Sequence, residues 1–273
     1  MPADSEKDRR TKLLALLLAL TSRVERGVTH WVRPILLSVA VRLRRIVEQL
    51  PESGIFRAQQ WAQLRDRALP ELVKLEASLR NALPSALVEM EPGVRAAAAS
   101  YRGLPTPPPS LTPLRSTLDR LPAGGASLGE TLGDSLRPGR VARRAAVQLD
   151  QTVQTMMFRN ATTAEIAEKV VGEITRKGVR VPVLKTGSFA NRVWNNVKNL
   201  VVEATWQVVN TTAQEVWQSD RPLEWQWEAV LDPKTCPVCR PLDKMVRSSP
   251  AAFPYQPPVH PNCRCVVLPI QRS

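Results

Sequence analysis

All four cysteines of this 273-residue chain fall from Cys236 onward, together with one of its two histidines. Cys236 and Cys239 stand in T-C-P-V-C, the C-x2-C spacing of a zinc knuckle. A tight turn of that length brings two thiolates to one ion and points the intervening amides at the sulfurs. Pro237 presets the turn. His260, Cys263 and Cys265 follow in V-H-P-N-C-R-C. A structural zinc takes four ligands, so five candidates compete for four places. The first choice is Cys236, Cys239, Cys263 and Cys265, with His260 able to replace one of the last two, Cys263 before Cys265. Two other states are open: two disulfides, or four reduced and inert thiols. The 235 residues without a cysteine and the lack of a convincing signal peptide favour metal over disulfides. A closed site of this kind can contribute on the order of 10 kcal/mol to the folding of a small module.

A catalytic metal finds no such support. A zinc deaminase needs H-x-E upstream of its P-C-x-x-C, and the upstream His30 is followed by Trp31 and Val32. The H-E-x-x-H of zincin proteases and the G-x-x-x-x-G-K-[ST] phosphate loop are absent from the sequence. Two histidines leave few means for imidazole base catalysis, although a carboxylate could serve. The expectation is a protein that is not an enzyme and takes no small-molecule substrate.

The ligands need a frame. E-W-Q-W-E-A-V-L-D at 224–232 alternates apolar and polar residues, which predicts a half-buried strand. C-R-C-V-V-L-P-I predicts a second. Pairing the two would bring both cysteine groups to one end of a small sheet. Upstream, 189–219 predicts a long helix with two apolar stripes. One runs through Val193, Val197, Leu200, Ala204 and Val208; the other through Val202, Trp206, Val209, Ala213 and Val216. A helix apolar on two faces is largely surrounded by protein, which makes Trp194, Trp206 and Trp217 core residues. Residues 162–177 predict a helix capped by Thr162 and Glu165. Its buried stripe is Ile166, Val170 and Ile174, and Gly178 stops it. Another helix spans about Val141 to Phe158. Arg137, Arg140, Arg143 and Arg144 crowd its start, where the macrodipole disfavours cations.

Residues 1–100 predict a helical N-terminal region. Leu13, Leu17, Leu20 and Val24, then Leu36, Val39, Leu43, Ile46 and Leu50, recur at helical steps. Pro34 is expected to start or kink a helix there, and Pro70, Pro84 and Pro92 to break those that follow. Gly103 should end the region. Residues 101–140, rich in Pro, Gly and Ser, predict a linker or an extended strap. The helical C-terminal domain, 141–273, is closed by the Cys/His module at 224–270. The fold class is therefore mainly α with a small C-terminal β element.

No stretch reaches the eighteen or so apolar residues of a membrane span. L-L-A-L-L-L-A-L at 13–20 reads as one face of a helix, so the chain is expected to fold in the cytosol, off the membrane. A net charge of +13 favours a polyanionic neighbour.

W-E-A-V-L-D-P-K-T-C-P-V-C-R-P-L-D followed by P-P-V-H-P-N-C-R-C resembles the signature of the phage Mu F-like minor head proteins, also called phage head morphogenesis proteins. The capped helix and the long helix ending in N-T-T-A-Q-E-V-W stand in the order that family shows. The resemblance covers about 141–273. It departs at two places: the family's Arg-Thr-Glu corresponds to Val201, Val202 and Glu203, and a glycine common after Leu-Asp is Lys244 here. The resemblance implies a structural virion protein at the capsid interior or portal vertex, made in the host cytoplasm. It implies contacts with the portal or major capsid protein and roles in head assembly and DNA packaging or delivery, with packaged DNA met through non-specific basic contacts. The alternative is a zinc-knuckle nucleic-acid-binding protein without a virion role, marked by Lys234, Arg240, Lys244, Arg247, Arg264, Phe253 and Tyr255 around the knuckle.

Overall fold

The computed structural model describes residues 5–52, 57–108, 139–176, 179–218, 224–230, 236–260 and 262–270. Among them are five α-helices: α1 (Glu6–Val47), α2 (Arg57–Arg102), α3 (Arg140–Phe158), α4 (Thr163–Val170) and α5 (Phe189–Gln218). Five short strands complete the set: β1 (Gly172–Arg176), β2 (Val179–Val183), β3 (Glu224–Glu228), β4 (Val246–Arg247) and β5 (Val266–Ile270). The fold is mainly α with a small C-terminal β element, as the periodicities predict. Most of the expected linker, from 109 to 138, and Arg137 with it, lies outside the described residues.

α1 and α2 do not follow the proline rules. α1 passes unbroken through Pro34, and α2 through Pro70, Pro84 and Pro92. An interior proline costs about 3 kcal/mol through its missing N–H and its ring clash. Against that, α2 buries Leu64, Leu72, Leu75, Leu79, Leu83 and Leu87 in one stripe, each worth about 2 kcal/mol. The stripe continues only if the helix does, so burial outweighs the local break. Gly103 ends α2 at φ 65°, a conformation that glycine adopts without steric cost.

The chain divides into two compact units. One comprises residues 28–82 and 135–198, the other 1–27, 83–134 and 199–273. In the first, Glu76 of α2 reaches the start of α3, accepting from the backbone N–H of Gly139 at 2.5 Å and of Ala142 at 2.8 Å. This carboxylate supplies the acid that the arginine-rich start of α3 lacks in its own sequence. Trp61 Nε1 donates to Asp150 at 2.8 Å, and Arg57 donates to the carbonyl of Ala161 at 2.8 Å.

α4 carries the expected capping box between Thr162 and Glu165 but ends at Val170, not at 177. Residues 172–176 instead form β1, antiparallel to β2 with Gly172 opposite Val183. Val171 and Gly172 weaken the helix, and the alternating valines of β2 offer a ladder. A Cβ on Gly172 would lie 2.1 Å from Lys185 Cβ, so the entry to β1 is open to glycine alone. Lys177 and Gly178 lie outside the described residues.

In the second unit, α5 is buried at every residue from Val201 to Asn210. Trp206 and Trp217 are fully enclosed; Trp194, expected in the core, is half-buried with Lys198 Nζ 5.8 Å from its ring centre. Trp217 Nε1 donates to the carbonyl of Ala98 at 2.8 Å, and its ring meets Tyr101 at 6.0 Å and Trp225 at 6.4 Å. The sheet has the order β4-β3-β5, antiparallel throughout.

Candidate metal centre

The register of β3 and β5 sets the site. Glu228, the last residue of β3, faces Val266, the first of β5. The chain leaving β3 and the chain entering β5 therefore share one end of the sheet, as the alternating patterns predict. Cys236 and Cys239 follow the first; His260, Cys263 and Cys265 precede the second.

The first knuckle is a tight turn. Arg240 N donates to the carbonyl of Cys236 at 3.1 Å, and Cys239 N points at the Cys236 sulfur at 3.2 Å. A 3-10 turn over Arg240–Leu242 follows. The chain then returns to β3, where Trp227 N donates to Met245 O and Lys244 N to Trp227 O, each at 2.8 Å. Lys244 turns this corner at φ 64°. The glycine common at this place in Mu F-like proteins thus has a backbone reason: left-handed φ disfavours a side chain. Its ammonium bonds to Glu228, which also accepts from Arg10 at 3.2 Å.

The second knuckle is a β-turn closed by Cys263 N donating to His260 O at 3.0 Å, with Asn262 at φ 64°. Positive φ at the third position of a turn favours Asn or Gly, and proline is favoured before it, which accounts for H-P-N-C. Two amides anchor the knuckle to α5: Asn262 Nδ2 donates to Asn199 Oδ1 at 2.9 Å, and Asn210 Nδ2 to the carbonyl of Cys265 at 3.0 Å.

The five predicted ligands fall into two overlapping groups of three. Cys236, Cys239 and His260 place their ligand atoms within 4.8 Å of one another, and so do Cys239, Cys263 and Cys265. Cys239 belongs to both groups. Cys239, Cys263 and Cys265 are buried, and Cys236 and His260 half-buried. Every cysteine is a free thiol. The sulfurs of Cys239 and Cys263 stand 3.8 Å apart, which is the edge of a zinc tetrahedron with bonds of about 2.3 Å. His260 Nε2 is 3.1 Å from Cys239 Sγ, closer than the roughly 3.5 Å of a tetrahedral N–S edge and suited to a hydrogen bond. The donor set fits a soft divalent ion.

The electrostatics fit as well. Hydrogen bonds from Cys239 and then Cys265 hold the Cys263 thiol far below its usual range. The bonds with Cys263 and then Cys265, with burial, push Cys239 far above it.

Sequence reasoning missed Asn210 and Glu76 because each acts on a distant partner. An asparagine on an otherwise apolar helix stretch was the available signal for the first. A G-x-S-x-G string, the pattern of a hydrolase nucleophile elbow, occurs at Gly125 to Gly129. It lies outside the described residues, in a Gly- and Ser-rich run rather than between strand and helix patterns.

Taken together, these elements define a helical protein whose last strands carry a Cys/His centre able to hold a metal. Residues 134–268 match the family described as Phage Mu protein F like protein. The match bears out the resemblance carried by the two Cys/His motifs and makes this segment phage head morphogenesis-like. No curated protein and no solved structure matches the chain at a significant level. Among the described residues no helix is long and apolar enough to cross a membrane.

Proposed function

We propose that this chain is a structural minor head protein of a tailed bacteriophage, acting in head assembly near the portal and in DNA packaging or delivery. The observation that carries the reading is the family match over 134–268, on the segment that holds the Cys/His centre. The family is one of structural head proteins, which favours a non-enzymatic role in contact with the portal or major capsid protein. The net charge of +13 suits a place beside packaged DNA, through phosphate contacts that ignore sequence. In this reading 141–273 is the Mu F-like domain, 1–100 the helical N-terminal region, and 101–140 the linker or strap between them.

Cys236, Cys239, Cys263 and Cys265 would hold a structural zinc, with His260 bonded to the Cys239 sulfur. The ion would close the end of the β3–β5 sheet and supply folding energy, not chemistry.

The nucleic-acid-binding alternative is less well supported around the knuckle itself. Lys244 is engaged by Glu228. Phe253 is buried against Trp227, ring centres 5.8 Å apart, and so cannot stack on a base.

The deciding experiment removes the protein from its phage and measures particle number, DNA content and infectivity. Heads defective in DNA content or delivery are expected. Normal infectious particles without the protein would sink the reading.

A further inference from the structure

The outer face of α3 has no role in the metal centre. Ala142, Ala145, Leu149, Thr152 and Val153 face inward. The opposite side exposes Arg143, Arg144, Val147, Gln151, Gln154 and Phe158. α3 contains one acid, Asp150; it accepts from Trp61 of α2 at 2.8 Å and from Gln154 Nε2 at 3.1 Å. Arg143 Nε donates to the carbonyl of Gly139, at 3.0 Å.

At the far end of α3, Arg159 opens onto a cleft of about 530 Å³, shared with Lys169 of α4 and with Lys185 and Thr186. The two acids of the cleft are already engaged. Glu165 accepts from the Thr162 backbone at 2.7 Å, and Glu168 takes Lys185. Among the described residues no carboxylate pairs with Arg143, Arg159 or Lys169. From 143 to 159 the helix advances about 24 Å at 1.5 Å per residue. That is the length of roughly seven base pairs of duplex, each carrying two phosphates.

We propose that this face, from Arg143 and Arg144 to Arg159 and Lys169, is a contact surface for the backbone phosphates of duplex DNA. The proposal rests on the head-protein reading and gives a location to its DNA contact. Charge complementarity selects the occupant: the face is cationic, lacks an unpaired acid among the described residues, and sets Gln151 among its arginines, both residue types being common donors to phosphate and sugar. A bilayer is a poor fit. Val147 and Phe158 are the large apolar residues that α3 exposes, separated by Gln151 and Gln154, where membrane helices present a continuous apolar side.

The test uses the full chain and a random-sequence duplex of about 30 base pairs, with affinity measured by anisotropy across a salt series. The triple variant Arg143→Ala/Arg144→Ala/Arg159→Ala should lower the slope of log K against log salt by about 2.7, at about 0.9 for each phosphate that is no longer neutralised. A control of equal charge change, Arg23→Ala/Arg33→Ala/Arg45→Ala, should keep the parent slope. Thermal melting checks that each variant folds. If the triple variant melts early, the single reversal Arg159→Glu takes its place and should weaken binding at least tenfold. Equal slopes for parent and triple variant overturn the proposal, as does an equally lowered slope in the control, which would mean that net charge alone matters. An acidic polypeptide that displaces DNA from the parent at equal charge concentration also overturns it, in favour of a protein partner. Incorporation into heads is scored separately. A triple variant that enters heads and binds DNA like the parent removes the DNA face and leaves the assembly role standing. A parent chain absent from heads removes the assembly role, whatever its DNA affinity.

Discussion

Asn210 on α5 donates through Nδ2 to the carbonyl of Cys265 at 3.0 Å, and both groups are buried. One amide thus ties the helical core to the loop that enters β5. Replacing Asn210 with Leu leaves that carbonyl without its donor, at a cost of about 1–3 kcal/mol. Urea unfolding should show the loss as a lower midpoint with an unchanged slope.

Lys244 offers a test of backbone strain free of its charge. Lys244→Gly and Lys244→Ala both remove the ammonium that meets Glu228, so their difference reads the left-handed φ of 64°. The glycine variant should be the more stable by about 1 kcal/mol. Equal midpoints in urea would remove the backbone explanation for the family's glycine.

The ligand set is separable by metal content. Cys239→Ser and Cys263→Ser should each abolish stoichiometric zinc in purified protein. His260→Ala should retain one zinc per chain with affinity reduced about 10- to 100-fold, as for a group that supports a ligand rather than being one. A His260→Ala protein devoid of zinc would place the imidazole on the metal. Zinc near zero in the folded, reduced parent would refute the site.

Zinc affinity should rise with pH. Cys239 is held well above the ordinary thiol range by its bonds with Cys263 and then Cys265, and Cys265 is pushed up to about 12, the bond from Cys239 lowering it and those with Cys263 and burial raising it. Both are protonated at neutral pH without metal. Binding to thiolates releases those protons, so raising pH favours the bound state. Competition with a chromophoric chelator at pH 6 and 8 should show about one to two decades of affinity per pH unit.

Glu76 caps α3 from 66 residues away. Glu76→Ala leaves the Gly139 and Ala142 N–H groups without it and should cost about 1–2 kcal/mol. Glu165→Ala, which removes half of the local box on α4, should cost less, because Thr162 retains its own cap. Thermal melting of the two variants ranks them.

What could be read from the sequence followed the range of the interaction. The β3 strand was legible because Trp225 and Trp227 alternate with polar neighbours, and its pairing with β5 was the arrangement that would bring both cysteine groups to one end of a sheet. The capping box was legible because Thr162 and Glu165 are three residues apart. β1 was not: Ile166, Val170 and Ile174 keep a helical period, and only the valines across the hairpin reveal that Gly172 changes the backbone's course. The prolines misled for the opposite reason. A local rule governs each, yet the leucine stripes of α2 are decided by the whole helix. Caps and anchors such as Glu76 and Asn210 join residues far apart in the chain, where no spacing rule reaches.

The carboxylate at the head of α3 has a further consequence. The residues that match the Mu F-like family begin at 134, but Glu76, which completes the first helix of that segment, lies upstream of it. Trp217 likewise donates to Ala98, the Tyr101 hydroxyl to Pro269 at 3.3 Å, and Arg10 to Glu228. The edge of the family is therefore not a seam in the protein. A fragment cut there would leave with orphaned amides and a bared tryptophan, so the matched segment and the chain ahead of it must be expressed and engineered as one piece.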